Sequence, residues 1–124
     1  MRRLMLIAGP VIGALVGCSA PSLAHSFPEK EQPAAGQTLS SAPSQVSIRY
    51  DAPIEHLFAN LQVLDAVGNN VAVGRPEVSS DGYILSVKLN ALKPGNYTVK
   101  WSVVCVDSHH TQGTYTFSVR GTGS

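Results

Sequence analysis

Four side chains able to bind a metal ion crowd into residues 105–110: Cys105, Asp107, His109 and His110. They interrupt 101-WSVVCVDSHHTQGTYTFSV-119, whose two flanks alternate apolar and polar residues as half-buried strands do. A hairpin needs only Gly, Asn or Asp to turn, so the extra ligand types ask for a chemical explanation. If the first strand continues, Cys105, Asp107 and His109 fall on one side, successive members about 6.6 Å apart along the strand. That gap is wide for two ligands of one ion, and a bend after Asp107 would let Asp107 and His109 converge. Imidazole plus carboxylate suits a borderline divalent ion such as Cu(II) or Zn(II). Both methionines, Met1 and Met5, lie near the N-terminus, ahead of the strand-forming sequence. Two protein ligands are too few, so a third has to come from elsewhere in the chain.

The same residues have a plainer reading. Asp107 caps the turn and both histidines are solvated, since an Asp-x-His spacing is by itself a weak signal. Cys105 is then a small buried hydrophobe, the commonest fate of a free cysteine. Local spacing leaves both readings open.

The elements that must position these residues form one domain preceded by an export signal. Arg2 and Arg3 make a basic start, followed by the apolar run 4-LMLIAGPVIGALVG-17. That run has signal length but is too short, and too rich in Gly and Pro, for a stable membrane helix. Two exits are legible. Cleavage after 22-SLA-24 makes residues 1–24 a signal peptide and His25 the first residue of a domain over 25–124. Alternatively 15-LVGC-18 is a lipobox, residues 1–17 are a lipoprotein signal, and Cys18 is retained with lipid.

A chain starting at His25 has 100 residues, enough for a modest core. Without Arg2 and Arg3, seven Lys and Arg face eight Asp and Glu, a net charge of −1 with His neutral. That balance gives no basis for a nucleic-acid partner or for anionic membrane attachment, and leaves a membrane role only through lipid on Cys18. With Cys18 in the export segment, Cys105 has no disulfide partner inside the domain.

Periodicity predicts an all-β chain. His25 to Ser44 reads as an extended lead-in, rich in Pro, Ala, Ser and Gln, with turns at 33-PAAG-36 and near Pro43. Strand signals follow over 46–50, 60–65, 71–73, 83–89, 97–106 and 114–119. The stretch 54-IEHLFANLQVLD-65 mixes helical and strand spacing, and we read a short turn after Pro53 feeding the strand at 60–65. The segment 74-GRPEVSSDG-82 reads as loop and 93-KPG-95 as a turn. Short strands with turn signals at roughly ten-residue intervals imply an antiparallel sandwich or barrel. Its core is expected from Val46, Ile48, Leu61, Val63, Leu85, Val87, Trp101, Val103, Tyr115 and Phe117, with the ligand cluster at one end.

Over essentially all of residues 25–119 the chain resembles the CopC-like copper-resistance proteins. The likeness is carried by His25 with 33-PAAG-36 after it, by 41-SAPSQVSIRYDAPIE-55, by 92-LKPGNYTVKWSVV-104, by Asp107-Ser108-His109 and by 113-GTYTFSV-119. It implies a small Greek-key β-sandwich of immunoglobulin- or cupredoxin-like topology. It further implies a periplasmic protein that binds Cu(II) in copper resistance, homeostasis or uptake. The resemblance implies a role for each matched residue. His25 would supply both its α-amino nitrogen and its imidazole, His109 a second imidazole and Asp107 a carboxylate oxygen. A tetragonal set of three nitrogens and one oxygen is what Cu(II) prefers. An α-amino group, with an ordinary pKa of about 8, can yield its proton to copper at neutral pH. The implied partners are the copper ion and either an inner-membrane copper transporter or another periplasmic copper carrier.

The chain also departs from that pattern. It has no methionine cluster for Cu(I), and a glutamate common near the copper falls at Ala52. Cys105 stands where relatives usually have Ser, and His110 where the residue is commonly not a ligand, which makes these two candidate accessory ligands. If Cys18 is retained, the nitrogen of His25 is an amide and the chelate loses its amine.

Two other classes are open to the same residues. An N-terminal histidine chelating copper also serves oxidative polysaccharide cleavage, so a copper oxidase is one. A metal-free immunoglobulin-like lipoprotein mediating protein interaction is the other. Small size and the lack of an aromatic binding face weigh against the oxidase. With no nucleophile–base pair or paired carboxylates standing out, the chain is expected to bind and hand on copper without acting as an enzyme.

Overall fold

The alternation of apolar and polar side chains is realised in eight strands. They are β1 (Pro28–Gln32), β2 (Thr38–Leu39), β3 (Gln45–Tyr50), β4 (Asn60–Leu64), β5 (Ala72–Val78), β6 (Ile84–Leu89), β7 (Gly95–Val104) and β8 (His110–Val119). The structure is a computed structural model that describes residues 26–121; the expected export segment, its two exits and His25 lie outside the described residues. Among the described residues there is no helix.

Two four-stranded sheets face one another, ordered β1-β3-β6-β5 and β2-β8-β7-β4. The short β2–β8 ladder is parallel, and the other strand pairs are antiparallel. Only β5–β6 and β7–β8 are hairpins within one sheet; every other connection crosses between the sheets. This is the Greek-key sandwich of immunoglobulin-like domains.

The inward positions of each strand build the core. In β3, Val46, Ile48 and Tyr50 are buried and alternate with Ser47 and Arg49. Val46 lies opposite Val87, and Ile48 opposite Leu85, on β6. From the other sheet Leu61, Val63, Trp101, Val103, Tyr115 and Phe117 close over them, so every residue expected in the core is there. Burying such a side chain contributes about 1.5–3 kcal/mol. Tyr50 meets Trp101 edge-on across the sheets, ring centroids 5.5 Å apart, and Tyr97 stacks on Phe117 at 5.4 Å. Aromatic quadrupoles favour both arrangements. Burial, and after it the charge of Glu31, pushes the Tyr50 and Tyr115 phenols well above their ordinary range, so both stay neutral in the core.

Three strands run through stretches read as irregular, the shortest being β2 in the expected lead-in. β1 lies inside the expected lead-in, and its Pro28-Glu-Lys-Glu-Gln sequence has no apolar face to signal it. It is held by backbone pairing with β3 at a sheet edge, which does not require alternation. β5 runs through Gly74 and Pro76, which the sequence marks as loop. Gly74 takes φ +75°, the register shifts between Val73 and Glu77, and the ladder then resumes. Because β5 is also an edge strand, the missing N–H of Pro76 is tolerated. The expected short turn and strand over 54–65 are present, with Ile54 forming an isolated bridge to Cys105 before β4 begins at Asn60.

Gly113 lies opposite Trp101 on the β7–β8 ladder, and a Cβ there would sit 2.8 Å from Trp101 Cζ2. Gly113→Ala is therefore expected to destabilise the fold by about 1–3 kcal/mol through overpacking. The effect should appear as a lower denaturant midpoint at unchanged m-value; an equally stable variant would show that the indole has room to move.

Candidate metal centre

β7 ends at Val104 and β8 begins at His110, so the ligand cluster forms the tip of a long hairpin. The tip closes on Cys105, whose N–H donates to the His109 carbonyl at 2.7 Å and whose carbonyl accepts from the Ser108 N–H at 2.8 Å. Ser108 adopts φ +81°, a left-handed conformation uncommon outside glycine, and this is the bend that turns the chain after Asp107. The Asp107 carboxylate spans the bend. Its Oδ1 accepts from the His109 N–H at 3.2 Å, and its Oδ2 lies 3.1 Å from His109 Nδ1. Two donors bound cis to one metal at about 2.0–2.2 Å each are roughly 3 Å apart. The pair thus has the bite of two neighbouring ligands, and both side chains are accessible, 36% exposed for Asp107 and 56% for His109.

The other candidates lie differently. Cys105 is only 1% exposed and points inward, continuing the buried set of Trp101 and Val103 beyond the end of the strand. His110 pairs with Val104 in β8, and its Nε2 lies 2.8 Å from Ser102 Oγ. His56 is exposed in the loop between Pro53 and Asn60. Among the described residues no three of His, Cys, Asp and Glu gather closely enough to hold one metal ion.

Alternation carries no trace of Ser26, which is 0% exposed and the one buried polar residue among those described. Its N–H donates to Cys105 Sγ at 2.7 Å, its hydroxyl to the Pro53 carbonyl at 3.2 Å, and its carbonyl accepts from Thr111 Oγ1 at 2.9 Å. Next to it, the Phe27 N–H donates to Asp51 Oδ1 at 2.8 Å and the Asp51 N–H to the Phe27 carbonyl at 2.9 Å. The chain is thereby fastened to the β7–β8 hairpin and to the loop after β3 one residue beyond His25. Cys105 belongs to both arrangements: its side chain holds Ser26, and its backbone closes the turn that carries Asp107 and His109.

The loop from Pro53 covers this end of the sandwich, with the Val106 N–H donating to the Pro53 carbonyl and the Glu55 N–H to the Val104 carbonyl. Residues 50–59 and 101–115 contain Asp51, Glu55 and Asp107 but no Lys or Arg, so fixed charge there attracts cations. Leu57, Phe58 and Val106 in these segments are exposed large hydrophobic side chains, as is Phe27, whose backbone pairs with Asp51.

Comparison with known proteins agrees with this architecture. A model of the CopC domain matches residues 28–120. The copper transport protein CutJ of Bacillus subtilis (strain 168) is 33% identical over 100 residues, which is 79% of this chain; the chain spans only 18% of that protein's length. Protein YobA of Escherichia coli (strain K12) is 34% identical over 99 residues, covering 78% of this chain and 80% of YobA. The crystal structure of CopC from Methylosinus trichosporium OB3b is similar with a TM-score of 0.75 at 27% identity, over 81% of this chain and 98% of that one.

Proposed function

Because the chain belongs to the CopC domain family, we propose that it is an exported, periplasmic copper carrier that holds Cu(II) at one end of its sandwich and hands it on without catalytic turnover. The observation that carries this reading is the Asp107–His109 pair, set at chelating distance on an exposed, acidic hairpin tip beside the fastened start of the domain. Asp107 supplies a carboxylate oxygen and His109 an imidazole. His25, one bond before the clasped Ser26, supplies its imidazole and, once processing frees it, its α-amino nitrogen. Three nitrogens and one oxygen in a tetragonal array suit Cu(II). The absence of Met from residues 25–124 removes the thioether donors that would favour Cu(I).

Transfer requires a second protein to bring its own ligands up to the ion. The exposed Phe27, Leu57, Phe58 and Val106 offer that partner an apolar rim. An inner-membrane copper transporter and another periplasmic copper carrier are the partners of fitting chemistry.

The first test is Cu(II) affinity measured by chelator competition. His109→Ala should lower it by on the order of 100-fold, since loss of a direct ligand costs at least as much as loss of a group supporting one. His56→Ala should leave it unchanged, and equal effects from the two would overturn the assignment. The second test concerns the start of the protein. Mass measurement on the processed protein should give a chain beginning at His25 without lipid, and one extra residue ahead of His25 should weaken Cu(II) binding by carrying the amine away. A mass showing lipidated Cys18, or an affinity indifferent to the extension, would remove the amine from the site.

A further inference from the structure

We infer that Thr111, Asp51 and Cys105 are positioning residues that aim the N-terminal ligand at the Asp107–His109 pair, an inference that rests on the proposed copper site. A terminal residue is the least constrained part of a chain, and three rotatable backbone and side-chain bonds separate its imidazole from the next peptide. A chelate formed from its amine and ring needs that next peptide held still, because ordering it only when copper arrives would subtract from the affinity.

The geometry supplies such a hold. All three polar groups of Ser26 are engaged at once: the N–H by Cys105 Sγ, the carbonyl by Thr111 Oγ1, and the hydroxyl by the Pro53 carbonyl. Asp51 exchanges two hydrogen bonds with Phe27 and so fixes the direction in which the strap leaves. The partners come from both sides of the ligand turn, Cys105 just before it and Thr111 just after it. The strap and the Asp107–His109 turn therefore share one support, and the turn cannot shift relative to the strap without breaking these bonds. The role assigned to Cys105 is that of a buried acceptor, in place of the accessory ligand considered from its spacing. Its sulfur is occupied by Ser26 and lies at 1% exposure. The clasp gives no donor atom to the metal; it acts by orientation.

The experiment compares Thr111→Val, which keeps shape and removes the hydroxyl, with Thr111→Ser, which restores it. Asp51→Ala, at an exposed contact, is a second variant that spares the core, and Asp51→Asn, which removes the same charge but keeps the Oδ1 acceptor, separates loss of the hydrogen bond from loss of charge. Each is examined in the processed protein by Cu(II) competition, by electron paramagnetic resonance, and by melting of the metal-free protein. Thr111→Val and Asp51→Ala should each weaken Cu(II) binding about tenfold, the scale on which orienting groups act at metal sites. Their spectra should show less nitrogen coordination, while Thr111→Ser matches the unaltered protein. In a His25→Ala background the same substitutions should have little further effect, because they act through residue 25.

Unchanged affinity and spectrum in both variants, with His25→Ala and His109→Ala still damaging, would overturn the positioning role while leaving the copper site intact. Losses that simply add to that of His25→Ala would also overturn it, since they would reflect general loosening of the fold. If His25→Ala itself binds copper as well as the unaltered protein, the copper site as proposed fails, and the positioning role fails with it.

Discussion

The hydrogen bond from the Ser26 N–H to Cys105 Sγ joins residues 79 positions apart, and the one from Thr111 Oγ1 to the Ser26 carbonyl joins residues 85 apart. Much of what is distinctive at this end of the molecule depends on that clasp. Ordering a backbone residue costs about 1–2 kcal/mol, which a terminal segment recovers only if it buries something. Ser26 is wholly buried, and a buried N–H or carbonyl without a partner would itself cost about 1–3 kcal/mol. The segment can therefore dock only where acceptors and a donor already wait in matching positions. The β7–β8 hairpin and the Pro53 loop provide them.

Cys105 explains how the clasp and the turn form a single unit. Its side chain continues the inward set of β7 beyond the last ladder pair, so packing alone keeps the sulfur inside. Its backbone bonds to Ser108 and His109 close the turn and hold Ser108 in a left-handed conformation that a free peptide would seldom visit. Such strain persists where the surroundings over-determine the geometry, and a ten-residue hairpin ladder anchored by Trp101, Val103, Tyr115 and Phe117 does so here. The result is a carboxylate and an imidazole held 3.1 Å apart on a rigid support, in a region with acidic residues and no nearby Lys or Arg in the same segments. Both side chains remain open to solvent, 36% exposed for Asp107 and 56% for His109.

The rest of the sandwich supplies stiffness. Tyr50 and Trp101 meet across the two sheets directly beneath the site end, and Ile54 bridges to Cys105 from the covering loop. Edge strand β1 is polar, and edge strand β5 is broken by a register shift around Gly74 and Pro76, which guards the sheet against pairing with other chains.

What the sequence by itself determined is everything that depends on neighbours within a few residues. Alternation named most of the buried residues of β3, β4, β6, β7 and β8, because each side chain's face follows from its position in its own strand; Tyr50, Tyr97, Val99 and Val119 join them in the core. The Asp-x-His spacing singled out Asp107 and His109, and a bend between them was the one way for them to meet. Only the tertiary structure decided that Pro28–Gln32 becomes an edge strand and that the strand begun at 71–73 continues through Gly74 and Pro76 to Val78, since backbone pairing there leaves no mark on side-chain pattern. It alone decided that the Cys105 sulfur is buried against Ser26, that Thr111 holds the Ser26 carbonyl, and that Asp51 holds Phe27. Their hydrogen bonds connect distant parts of the chain, and a contact across some eighty residues exists only after both sheets have closed.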